Sequence, residues 1–389
     1  MTPDPTLVDL SALPAVDGHC HPLFPDPWTV GREAFLDCFS EGRPGAMAAH
    51  IPHSGYFGRA VRALAKRLGT APTVDAVLAG RQALGPEPTC RRLAESRVVA
   101  LLVDTGYPPE AMPLDEMRRL LPCAIHEIFR IETCAQALLH ETLPYDEFLA
   151  AFRRALHAAA RRCVALKTII AYRSGLAIRP WEPAEVRAAY REVVARVRAG
   201  GSPRLVEKPL LDTLVLVALE VAVETDRPLQ IHTGFGDPDI DLLQANPLLL
   251  RAILEDPGGA GARIVLLHMA YPYHREAAFM AAVWPQVHLD LSLAFPYLGP
   301  GAALPLVEIL SLAPASKLAY GSDVGGLPEL FALSADWARA ALGEALGWLV
   351  ARGGLTAEEA PAVGGRILSE NARTLYRLPD DPTSWAARP

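Results

Sequence analysis

Eight short β-rich apolar runs punctuate this chain, at 15–20, 98–104, 125–131, 164–171, 229–233, 264–268, 287–291 and 318–321. Helical patterns follow most of them, the clearest at 145–162, 183–198 and 211–225. Strands alternating with helices point to parallel βαβ units, whose strands are covered on both faces and read as nearly continuous apolar stretches. Val265-Leu266-Leu267 and Val164-Ala165-Leu166 have that character. Eight strands in this rhythm favour a closed (β/α)8 TIM-type barrel over an open doubly wound sheet. The 389 residues leave room for insertions, since such barrels take about 250 before loops are added. No GxGxxG turn follows the first strand and no P-loop occurs, which counts against nucleotide-binding sheets.

The segment 22–97, between the first two strands, is too long for an ordinary βα loop and reads as helical, so a cap over the barrel mouth is expected there. The helix-rich tail, 330–378, is expected to pack on the outer wall. Prolines number 35 but are spread among turns rather than gathered into a linker, so one domain, 1–389, is the expected count. An apolar share of 51% supplies a large core. A net charge of −7 without a Lys/Arg run gives no nucleic-acid footprint, and a small-molecule substrate fits better. The six cysteines form no CxxC pair and several lie in apolar runs, the pattern of reduced thiols. Residues 1–14 have neither the basic nor the apolar part of a signal peptide. The apolar stretch 210–223 carries Asp212 and Glu220 and reads as a buried helix rather than a membrane span. A cytoplasmic protein without a membrane partner is expected; a homo-oligomer is left open.

The chemistry concentrates at strand ends. Asp17-Gly18-His19-Cys20-His21 follows a short apolar strand, and residues two apart on a strand point the same way, so His19 and His21 can offer two imidazoles to one ion. Two histidines at this spacing also arise by chance. His232 ends one apolar run, His268 another, and Asp323 follows Leu318-Ala319-Tyr320-Gly321-Ser322. A lone histidine there is commonly a hydrogen-bonded core residue, and a lone aspartate a helix cap. Together these placements match the strand ends where barrel enzymes hold their catalytic groups.

Lys167 stands out for another reason. The chain has four lysines against 33 arginines, yet one lies within an apolar strand. A buried ammonium is costly and its pKa falls. A neutral amine there reacts with CO₂ to form a carbamate; the alternative is an ammonium paired with Asp323 or with a substrate carboxylate. Tyr172 and Arg173 follow the same strand, and Arg173 is suited to a bidentate grip on a carboxylate or to a structural ion pair. Tyr271, Tyr273 and His274 follow strand six and are candidates for the pocket wall. Arg130 and Glu132 read as a buried supporting pair. His50 and His53 in the cap have a weaker claim, and His126, His140, His157 and His288 none above background.

The order His19, His21, Lys167, His232, His268, Asp323 resembles the amidohydrolase superfamily. Within it, Leu166-Lys167-Thr168-Ile169-Ile170-Ala171-Tyr172-Arg173-Ser174-Gly175-Leu176 is similar to the branch represented by the amidohydrolase-like half of plant nodulin and fungal FluG-type proteins. His232 to Asp237 and His268 to Glu276 look like the same branch. The resemblance implies one or two Zn²⁺ per chain, two if a Lys167 carbamate bridges them, held by His19, His21, Lys167, His232, His268 and Asp323. It implies hydrolysis of an amide in a small carboxylate-bearing substrate, such as an N-acyl or γ-glutamyl compound. Zinc would lower the pKa of a water and polarise the carbonyl, with Asp323 as the catalytic proton acceptor. Tyr172, Arg173, Tyr271 and His274 would bind substrate. Two other readings stay open: a metal-dependent decarboxylase or lyase of the same superfamily, and a non-catalytic barrel module related to glutamine-synthetase fusions.

Overall fold

The computed structural model describes residues 7–255 and 261–379. Its eight strands are hydrogen-bonded neighbours in chain order: β1 (Ala15–Cys20), β2 (Val98–Asp104), β3 (Ala124–Arg130), β4 (Ala165–Thr168), β5 (Leu229–Ile231), β6 (Ile264–Leu266), β7 (Val287–Asp290) and β8 (Leu318–Ala319). The pairs β1–β2, β3–β4, β4–β5, β5–β6 and β6–β7 run parallel. After β8 the chain closes on β1: Gly18 N–H donates to Tyr320 O at 2.9 Å and Asp323 N–H to His19 O at 2.8 Å. The fold is a (β/α)8 TIM-type barrel.

Every expected run contains a strand, but most strands from β3 onward stop short of the sequence-based bounds. The expected run 164–171 ends as β4 at Thr168, and Ile170–Tyr172 is a 3₁₀ turn. The cause is a distant carboxylate. Glu132 Oε1 takes the Ile169 N–H at 2.9 Å and the Thr168 hydroxyl at 2.5 Å, so the backbone leaves the ladder there. Ile131, expected to close β3, instead opens the helix Ile131–Leu139. β8 stops after two residues because the Tyr320 N–H turns to Ile367 O, 2.9 Å away.

The chain divides into two compact units, one of Met1–His126, Gly236–Pro238 and Asp290–Pro389, the other of Glu127–Phe235 and Asp239–Leu289. In the first, the insertion after β1 is helical as expected, with helices Arg32–Asp37, Gly55–Leu68, Val74–Leu84 and Pro86–Glu95. Gly55–Leu68 starts where the Ser54 side chain accepts the Phe57 N–H and stops at Gly69, in the left-handed conformation at φ 69°. Phe35, Phe39, Tyr56 and Phe57 form an aromatic cluster under these helices. Arg81, 2% exposed, joins the insertion to the tail helix Pro328–Ala351 through Glu329 at 2.6 Å, and reaches Pro27 O at 2.8 Å. Ala294–Leu312 has the length and apolarity of a membrane span, but it is two short helices with Gly299-Pro300-Gly301 between them.

In the second unit, Pro183–Arg198 begins with a capping box, Glu185 taking the Glu182 N–H, and with Pro183 at its first position. The apolar stretch 210–223 lies inside the helix Lys208–Thr225, largely buried as expected. Asp212 is tolerated there because its carboxylate accepts from Lys208 Nζ at 2.9 Å and Trp181 Nε1 at 2.8 Å.

Candidate functional site

In the first unit the C-terminal end of β1 meets the segment after β8. His19 is fully buried and its Nε2 lies 3.0 Å from Asp323 Oδ1; His21 Nε2 lies 3.3 Å from the same oxygen. Asp323 turns inward because its backbone is left-handed, at φ 61°, and its N–H is tied to His19 O. His21 Nδ1 is 3.2 Å from Tyr107 O, which orients the ring. Ligands about 2.0–2.2 Å from one divalent ion stand roughly 2.8–3.6 Å apart. The two imidazole–carboxylate spacings fall in that range, as they would for two ligands sharing one ion.

Asp104, buried at the end of β2, completes a group with His19 and His21 whose ligand atoms lie within 4.8 Å of one another. Sequence reasoning passed it over, although it ends an apolar strand as His232 and His268 do. Below these residues Asp17 takes the Ser322 N–H at 2.8 Å, and burial pushes its carboxyl up to about 8. Asp290, ending β7, takes the Ser292 N–H at 3.0 Å. A Cβ on Gly321 would stand 2.2 Å from Asp290 Oδ2, so only glycine permits that approach. From the insertion, Glu41 accepts a hydrogen bond from Tyr297 Oη at 2.9 Å. Burial, reinforced by the Asp323 charge, pushes its carboxyl up to about 7. No periodicity marked Glu41 in advance.

In the second unit β4, β5 and β6 carry the remaining residues. His232 directly follows β5 and its Nδ1 lies 2.9 Å from His268 Nε2, just beyond β6, with both rings buried. His268, Met269 and Ala270 all have positive φ, at 67°, 54° and 49°. Such a strained turn is characteristic of functional sites. Gly234 makes it fit, since a Cβ there would stand 2.3 Å from Tyr271 O. The Tyr172 ring packs on His232 with centroids 4.3 Å apart. Lys167, 2% exposed, lies in register with Arg130 on β3 and Gln230 on β5.

Arg173 follows Tyr172 on the turn, half-buried, with Nε shielded and making no hydrogen bond among the described residues. Burial, then the neighbouring Arg204 charge, lowers its pKa. Tyr271 and His274 stack with centroids 5.8 Å apart, while Tyr273 donates to Leu242 O at 3.0 Å, a structural tie. Glu132 is buried and bound to β4, in keeping with the supporting role expected of it; Arg130 is only half-buried. His157 pairs with Glu224 at 3.1 Å on the surface, and His126 is buried near Arg118 and Arg373.

The family model described as amidohydrolase matches residues 170–378. Protein fluG of Emericella nidulans is 30% identical over 406 aligned residues, covering 96% of this chain and 47% of fluG, so the chain spans about half the length of that curated relative. A solved structure from Lactobacillus casei ATCC 334, described as a metal-dependent hydrolase, superposes with a TM-score of 0.86 at 28% identity, over 98% of this chain and all of that one. The uronate isomerase of Thermotoga maritima, at 15% identity, TM-score 0.69 and coverage of 97% and 100%, shares the fold. The resemblance read from the strand-end residues and the match of the family model agree, and the chain belongs to the amidohydrolase family of metal-dependent hydrolases.

Proposed function

We propose that this chain hydrolyses an amide bond, of the N-acyl or γ-glutamyl kind, in a small carboxylate-bearing substrate, using a divalent metal of which zinc suits the donors best. The observation that carries the reading is the shared contact of His19 and His21 with Asp323 at 3.0 and 3.3 Å. Family membership adds His232 and His268 to the proposed ligand set, and Lys167, as a carbamate, where a second ion is bound. A bound divalent ion would acidify a water and polarise the scissile carbonyl. Asp323 is the proposed acceptor of the proton that an attacking water would lose as its oxygen joins the carbonyl carbon and the C–N bond breaks to release an amine. Arg173 is the proposed partner of the substrate carboxylate; Tyr172, Tyr271 and His274 are the proposed pocket wall. We place the protein in the cytoplasm, a setting supported by its six free thiols.

The test is an assay of zinc-reconstituted protein against N-acyl and γ-glutamyl amides beside aromatic carboxylic acids, run in ¹⁸O-water. Amine release with ¹⁸O in the product carboxylate is the expected result. CO₂ release without solvent oxygen in the product would mean a decarboxylase instead.

A further inference from the structure

Asp104 is absent from the ligand set that the family resemblance implies, yet it ends β2 beside the two histidines of β1. A register shift puts it there. Asp17 pairs with Leu101 and Cys20 with Val103, so three steps along β1 match two along β2. A shift of this kind, a β-bulge, recurs next to active sites, where it re-aims a side chain. An unbroken register from Asp17 would set Asp104 against Cys20; the shifted one carries it to the level of His21. The turn that follows stays with the same ring. Gly106 N–H donates to Asp104 Oδ1 at 2.9 Å, and Tyr107 O lies 3.2 Å from His21 Nδ1. Asp104 is fully buried, and its ligand atom lies within 4.8 Å of those of His19 and His21.

We propose that Asp104 is a metal ligand, taking a divalent ion together with His19 and His21. The assignment rests on the metal-dependent reading of these histidines. Two donors about 2.0–2.2 Å from an ion, on opposite sides of it, stand roughly 4.0–4.4 Å apart. The group formed by Asp104, His19 and His21 therefore lies at the upper edge of what a single ion spans. Charge favours the same assignment. A carboxylate buried this deeply has to be matched by a partner or a coordinated ion. Imidazoles that bind metal are neutral, so only anionic ligands offset the charge of the ion. Asp323, which meets both rings at 3.0 and 3.3 Å, supplies one negative charge, and Asp104 supplies the second that a divalent cation needs. All four side chains belong to one compact unit.

The experiment loads the full chain with Co²⁺, which accepts the ligands of zinc and reports its donors by absorption. Asp104→Cys puts a thiol in place of the carboxylate. If position 104 touches the ion, the cobalt-loaded variant should gain a thiolate-to-cobalt charge-transfer band in the near ultraviolet that the wild type lacks. Asp104→Ala should weaken Co²⁺ and Zn²⁺ binding, measured by competition with a chromophoric chelator. The expected loss is more than about 10²-fold, beyond the 10–100-fold typical of a group that acts on a metal from outside its ligand set. Circular dichroism shows that each variant is folded. No such band in a cobalt-loaded Asp104→Cys overturns the ligation, whatever the affinities. Should Asp104→Cys fail to fold or to bind cobalt, Asp104→Ala decides alone, and a loss below about 10²-fold overturns the assignment. Either result leaves His19 and His21 as ligands. If the wild type binds neither Co²⁺ nor Zn²⁺, the metal-dependent reading itself falls and the role of Asp104 falls with it.

Discussion

Asp323 is the residue on which most depends, since it meets both His19 and His21 and is directed by its own left-handed backbone. Asp323→Asn retains an oxygen that can approach a metal but cannot take a proton, so kcat/KM for the best amide substrate should fall by about 10³–10⁴-fold. Steady-state kinetics on metal-matched samples measure this. Replacing His19 and His21 together by Ala should strip most of the bound metal from a barrel that still folds, which elemental analysis against circular dichroism would show; full metal retention would refute the ligand assignment. Lys167, if carbamylated, should give a carbamate signal on ¹³C-bicarbonate labelling that disappears in Lys167→Arg. At this scale the sequence was informative where a candidate residue coincides with a strand end: His19, His232, His268 and Asp323 all interrupt or follow apolar runs. Asp104 obeys the same rule and was readable in principle. Glu41 was not, because an irregular insertion has no period to say which way a side chain points.

Elements were legible by type more than by length. The helix Pro183–Arg198 was readable to the residue because its start signals, Pro183 and the Glu182–Glu185 capping box, are local. β4 was overestimated because what ends it is Glu132, more than thirty residues earlier in the chain and tied to Thr168 and Ile169. That carboxylate is also what turns the backbone into the 3₁₀ turn carrying Tyr172 and Arg173. Glu132→Ala would leave a buried hydroxyl and a buried N–H without their acceptor, costing about 2–6 kcal/mol in urea denaturation at roughly 1–3 kcal/mol per orphaned group. Glu132→Gln keeps an acceptor oxygen and should cost less than half as much. An equal loss in both variants would show that the negative charge, not the hydrogen bonds, matters.

For the whole molecule, the barrel was readable from strand rhythm, whereas the joints between its parts were not. One consequence concerns acid stability. Burial, then Arg118 and Arg373, lowers the His126 imidazole to about 4 in the folded protein, against 6.5 for an ordinary histidine. The unfolded chain therefore binds a proton first as the pH falls. The stability associated with neutral His126 is complete above pH 6.5 and drains away toward pH 4, on the order of 3 kcal/mol in total. The gap in unfolding free energy between wild type and His126→Gln should shift by about that amount in favour of the variant across this interval. A gap that does not change with pH would exclude His126 as the source. A last consequence follows from the Arg81–Glu329 bridge. It makes the insertion and the tail helix a single heritable block. A chimera taking 22–97 from a relative without the matching 328–351 would strand a guanidinium or a carboxylate in the interior, at about 3–5 kcal/mol. Recombination between relatives should therefore exchange both segments or neither, although more than two hundred residues of chain separate them.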